Sequence, residues 1–111
     1  MRALLILGAL AACDPAFGVQ VKLRDPASQR PIENATVAIA CGAEARGWLG
    51  HTDREGRGFA GSIGSVFPPG CDIYIAKAGY RTQLIRYRDL CVATDGSCER
   101  LFVFDMYLPP E

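Results

Sequence analysis

The residues that could carry chemistry in this chain are few. His51 is the only histidine, so no multi-histidine metal site and no repeated histidine-based dyad can be assembled. Asp53 and Glu55 form a carboxylate pair inside Asp53-Arg54-Glu55-Gly56, a turn sequence in which both carboxylates are solvated rather than coupled as acid and base. Residues 56–61 (GRGFAG) match the spacing G-x-G-x-x-G, but a dinucleotide fingerprint needs a strand before it and a helix after it. Here Ser62-Ile63-Gly64 and then Pro68-Pro69-Gly70 follow, which argues against nucleotide binding. Asp95-Gly96-Ser97 with Glu99 is too sparse for a calcium loop. These eliminations predict no enzyme, no cofactor and no metal. The remaining candidates are the arginines of residues 81–88 (RTQLIRYR). Read as a strand, alternation places Arg86 and Arg88 on one face with Arg81 nearby, a set of guanidinium groups suited to a carboxylate, a phosphate or a protein partner. A charged strand face that discourages edge-to-edge pairing is the plainer account.

The elements that must position these groups are short. The chain has 111 residues, half of them apolar, and no net charge. That is enough for one domain with a modest core, and the charge balance argues against a nucleic-acid partner. Residues 19–24 (VQVKLR), 35–41 (ATVAIAC), 47–52, 57–62, 71–76 (CDIYIA), 83–87 and 101–108 (LFVFDMYL) read as strands, several with clear period-two alternation. Phe102, Phe104, Met106 and Leu108 share one face of the last, and Asp105 takes the other. No helical periodicity competes. Short strands separated by Gly and Pro predict an all-β antiparallel sandwich or barrel of about seven strands.

The N-terminus carries a different signal. Arg2 precedes an apolar run over residues 3–10 (ALLILGAL), followed by Ala11-Ala12 and Cys13. A charged start, a short apolar core and small residues before a cleavage point describe a secretory signal peptide. The run is far shorter than the about 20 residues that a membrane-crossing helix requires. Leu10-Ala11-Ala12-Cys13 resembles the lipobox of bacterial prolipoproteins. The resemblance implies cleavage after Ala12, a diacylglyceryl group on Cys13, and a tether over residues 13–18. Asp14 resembles the signal that holds enterobacterial lipoproteins at the inner membrane, whereas Pro15 departs from its stronger forms, so the outer membrane and the periplasmic face of the inner membrane both stay open. A start codon upstream of Met1 stays open as well.

Acylation of Cys13 would leave Cys41, Cys71, Cys91 and Cys98, an even number in an exported chain. Cys41 and Cys71 share strand parity with Val37, Ile39, Ile73 and Ile75, so both should face the core and join two strands. Between Cys91 and Cys98, Asp95-Gly96 predicts a turn that closes the neck of a hairpin. The expected pairs are therefore Cys41–Cys71 and Cys91–Cys98.

In order along the chain, residues 19–25, Pro31-Ile32-Glu33-Asn34-Ala35-Thr36-Val37, Thr52-Asp53-Arg54-Glu55-Gly56, Pro69-Gly70 before a strand, and Ala78-Gly79-Tyr80 resemble the carboxypeptidase regulatory-like domain. That family implies a transthyretin-like β-sandwich over residues 19–111, with scaffold roles and no conserved chemistry for the motif residues. In it, Asp53 would accept backbone N–H groups in a turn completed by Gly56, and Tyr80 would lay its ring on the sheet with its hydroxyl in water. Transthyretin-related hydrolases use several histidines, and this chain has one. The expected function is a non-catalytic lipoprotein of the cell envelope, bound to the membrane by its lipid and docking an envelope protein. The alternative is a glycan- or small-ligand-binding surface module. Trp48 and Tyr74 exposed side by side would favour the ligand module, and a flat apolar or arginine-rich patch would favour docking.

Overall fold

A computed structural model describes residues 16–41, 44–63, 70–94, 96 and 98–111. The proposed signal peptide and Cys13 lie outside the described residues. The strands are β1 (Ala16–Arg24), β2 (Thr36–Cys41), β3 (Glu44–His51), β4 (Arg57–Ile63), β5 (Cys71–Ala76), β6 (Gln83–Arg86) and β7 (Leu101–Tyr107), with one short helix, α1 (Tyr87–Thr94), before β7. They form a three-stranded sheet of order β4-β1-β7 and a four-stranded sheet of order β3-β2-β5-β6. The two sheets face one another as a sandwich.

Alternation explains the core. Val19, Val21 and Leu23 of β1, Val37 and Ile39 of β2, Ile73 and Ile75 of β5, and Phe102 of β7 all point between the sheets and are buried. The residues that alternate with them, among them Gln20, Lys22 and Arg24 of β1, take the opposite face. Removing these branched side chains from water is the main driving force for closing the sandwich.

Two departures from the expected architecture have physical causes. The sheets are antiparallel-rich, but β1 pairs with β7 in parallel, from Gly18 opposite Leu101 to Arg24 opposite Tyr107. Alternation reports which face a side chain takes, and it is silent on the direction of the neighbouring strand. The second departure is α1. Residues 83–87 were expected to be one strand, yet the strand stops at Arg86 and a helix starts at Tyr87. Tyr87 and Cys91, one helical turn apart, are both buried, and Leu90 packs against the same core.

The turns are closed by side chains. Asp53 Oδ1 accepts the N–H groups of Glu55 at 2.9 Å and Arg57 at 3.0 Å. Gly56 completes this turn with φ +79°, where a Cβ would collide with the Leu23 carbonyl oxygen. Thr52 is buried; its hydroxyl oxygen accepts from Ala35 N–H at 2.8 Å and donates to the Ile32 carbonyl at 2.7 Å. Tyr80 is half-buried, and its hydroxyl has a protein partner. It donates to Asp25 Oδ2 at 2.6 Å and ties two loops that are far apart in sequence.

Both expected disulfides are present. Cys41 and Cys71 stand directly opposite one another in the β2–β5 ladder, their Cα atoms 4.1 Å apart. The Cys91–Cys98 bond closes a different structure from the expected hairpin. Cys91 lies on α1, and the helix ends where Gly96 N–H donates to the Cys91 carbonyl at 2.7 Å. The disulfide thus staples the helix to the segment that leads into β7.

Candidate functional site

The outward side of the four-stranded sheet is the surface on which the candidate residues gather. Ladder register sets its rows. Leu49 stands opposite Ala38, Ala38 opposite Tyr74, and Tyr74 opposite Leu84, so an apolar row crosses all four strands. Leu49 is 62% exposed, Leu84 56% and Tyr74 39%. Scattered single apolar residues are ordinary at a protein surface, whereas a contiguous row of large ones marks a surface with a use.

The next row toward the start of β5 carries charge. Ala40 stands opposite Asp72, and Asp72 opposite Arg86. Arg86, Arg88, Asp72, Leu84 and Gly70 line an open groove of about 400 Å³. The pairing of Arg86 with Arg88 on one groove arises differently from simple strand alternation. Arg86 is the last residue of β6 and Arg88 is the second residue of α1, with buried Tyr87 between them turned inward. Arg81 is not part of the group. It precedes the opposite end of β6, where its N–H donates to the Pro109 carbonyl at 2.8 Å.

The residues examined for catalysis are dispersed. His51 is exposed at the end of β3 opposite Thr36. Among the described residues no group of three or more His, Cys, Asp or Glu side chains could hold a metal ion. Asp53 spends its carboxylate on the turn, and Glu55 is exposed beside it. Of the G-x-G-x-x-G run, Gly56 belongs to that turn and Gly58 and Gly61 lie in β4. A Cβ at Gly58 would press on Thr52 and Val37, and one at Gly61 would overlap the Phe17 carbonyl oxygen. Close packing of β4 against its neighbours therefore accounts for these glycines. Asp95 and Ser97 lie outside the described residues.

Among the described residues three groups have perturbed acidity, and all belong to the scaffold. The Tyr80 hydroxyl, followed by the backbone N–H groups of Ser28 and Ala27, holds the Asp25 carboxyl below its ordinary range. Asp25 in turn pushes the Tyr80 phenol above its ordinary range. Burial raises Tyr87 in the same direction. None of the three faces the Arg86–Arg88 groove.

The ladder register gives the backbone positions of the two aromatic residues weighed for a sugar ring. Tyr74 stands opposite Ala38, while Trp48 holds the position opposite Ile39, one residue out of step. The Trp48 side chain lies outside the described residues. No protein-family model and no curated protein sequence matches this chain. Among the described residues, no helix is long and apolar enough to cross a membrane.

Proposed function

We propose that this chain is a non-catalytic lipoprotein of the bacterial cell envelope, anchored through acylated Cys13, whose sandwich docks another envelope protein on the outward side of its four-stranded sheet. The observation that carries the docking half is the exposed row Leu49–Ala38–Tyr74–Leu84. An interface core is typically built from such aromatic and aliphatic side chains within a polar rim. The anchor half is supported by the sequence around Cys13. Two acyl chains on one cysteine would hold the protein firmly, because each buried methylene contributes about 0.8 kcal/mol.

The fold reading is finer than a β-sandwich: a seven-stranded, transthyretin-like module of the carboxypeptidase regulatory-like kind. The sheet orders β4-β1-β7 and β3-β2-β5-β6 and the turn built on Asp53 and Gly56 support it. Docking rather than ligand capture is favoured because the row is apolar and exposed, and because the cross-strand partners of Tyr74 are Ala38 and Leu84.

Photo-crosslinking in native membranes tests the docking surface. A photoreactive residue at position 49 or 84 should give a discrete crosslinked protein, and one at exposed Glu55 should not. Tyr74→Asp with Leu84→Asp should abolish the crosslink at position 49 while leaving the melting temperature unchanged. Crosslinks that arise equally from position 55 would show that the sheet face is not the docking surface.

A further inference from the structure

Arg86 and Arg88 lie at the end of the sandwich where the chain enters it. β1 begins there, with Ala16 paired to Ile63 and Gly18 opposite Leu101 at the start of β7. The Gly18 N–H donates to the Arg100 carbonyl at 3.5 Å. β6 ends there too, with Arg86 opposite Asp72 near the start of β5. The two sheets are connected at this end by the residue between the arginines. The Tyr87 ring meets Phe102 edge-on at 5.5 Å, and Phe102 stands beside Val19 of β1.

Two guanidinium groups on one groove suit an anion. The first N–H groups of α1 already present partial positive charge, and Arg86 and Arg88 add two full charges beside them. Cations stabilise a helix at its C-terminus and not at its N-terminus, so helix stability does not account for this pair. Asp72 on the groove wall and Asp89 in the first turn carry two formal negative charges, as many as the two arginines carry positive ones. Glu99 and Arg100, which lead into β7 at the same end, add one charge of each sign, so this end has no net charge. Affinity for an anion therefore rests on the placement of the two guanidinium groups on one groove and not on net charge.

We propose that Arg86 and Arg88 clamp the phosphate of an anionic phospholipid headgroup in the bilayer that holds the chain. This rests on the lipid-anchored reading. Cys13 is three residues from Ala16, a span of at most about 11 Å when fully extended. An anchor on so short a tether keeps the entry end of the sandwich within reach of the headgroup layer. Guanidinium groups bind phosphate oxygens through paired hydrogen bonds. The sandwich then stands end-on. The turns at residues 25–31 and 53–56 point away from the bilayer, and the Leu49–Leu84 row stays open from the side.

The test uses the full lipidated chain in phosphatidylcholine vesicles with and without phosphatidylglycerol, read by amide hydrogen exchange. Phosphatidylglycerol should slow exchange over residues 84–89 roughly tenfold, the scale of surface attraction expected for arginines at an anionic bilayer. The turn at 53–56 should be unaffected. Arg86→Gln with Arg88→Gln should remove the protection without changing the melting temperature. Equal exchange in the two lipids, or protection that survives the double substitution, overturns the proposal. Equal protection of the detergent-solubilised protein by inorganic phosphate alone overturns the lipid assignment. Intact mass measured beforehand separates the premises: an unmodified Cys13 overturns anchor and clamp together, and an acylated Cys13 without lipid dependence overturns the clamp only.

Discussion

At the scale of single residues, the scaffold depends on polar groups that close its turns. Thr52 is the buried polar residue among the described residues, and its hydroxyl satisfies both Ala35 N–H and the Ile32 carbonyl. Thr52→Ala would leave two buried backbone groups unpaired, and should destabilise the domain by about 1–3 kcal/mol. Thr52→Ser keeps the hydroxyl and should cost less. Urea unfolding of the oxidised protein measures both; equal losses would mean that packing of the methyl group, and not the hydroxyl, is what matters. The Asp25–Tyr80 hydrogen bond makes a pH-dependent prediction. Asp25 is lowered, so its contribution is present above the ordinary carboxylate range and is lost as pH falls through the folded value. Tyr80 is raised, so its contribution is present below the ordinary phenol range and is lost as pH rises through the folded value. Tyr80→Phe should therefore be less stable than wild type near neutral pH, with the gap closing at both extremes. Denaturation midpoints across pH check this, and a gap that stays constant into strong acid would contradict it.

At the scale of elements, the disulfides divide the staples into a strong and a weak one. Cys41–Cys71 closes a separation of 30 residues and Cys91–Cys98 one of 7. The chain-entropy model gives about 3.6 kcal/mol for the longer loop and about 2.4 kcal/mol for the shorter. The double variant Cys41→Ser with Cys71→Ser should therefore melt below Cys91→Ser with Cys98→Ser, as calorimetry would show. The reverse order would mean that the α1 staple carries more of the native packing than loop entropy allows. Strand parity made the Cys41–Cys71 pair legible, because a residue that alternates with Val37 and Ile39 must face the core. Alternation likewise located the inward residues of β1, β2, β5 and β7. It could not reveal α1, whose 8 residues give the helical period barely two turns. The signal was there in Tyr87, Leu90 and Cys91, spaced to share one helical face, but RTQLIRYR reads as a continuous alternating strand up to Arg88. Nor could local pattern reveal that β7 lies parallel to β1, or that Tyr80 reaches Asp25. Those facts depend on which elements become neighbours. The same holds for the groove: Arg86 and Arg88 were legible as a pair, and Arg81 was separated from them by the length of β6.

At the scale of the whole molecule, the proposed arrangement is a small sandwich standing on the membrane by its entry end. One end carries the start of β1 and the Arg86–Arg88 groove, and the apolar row crosses the side of the four-stranded sheet. Every part of that arrangement presumes the anchor. Partner docking from the side of the sheet needs a fixed orientation, and the phosphate clamp needs a bilayer within reach. The most direct measurement is mass spectrometry of the N-terminal peptide, combined with membrane fractionation of wild type and Cys13→Ala. The account predicts a wild-type peptide that begins at Cys13, carries a diacylglyceryl group and partitions with membranes, whereas Cys13→Ala stays as an uncleaved precursor without the lipid. A wild-type protein with an unmodified Cys13, or a Cys13→Ala variant that is fully processed and still behaves as acylated, would contradict it.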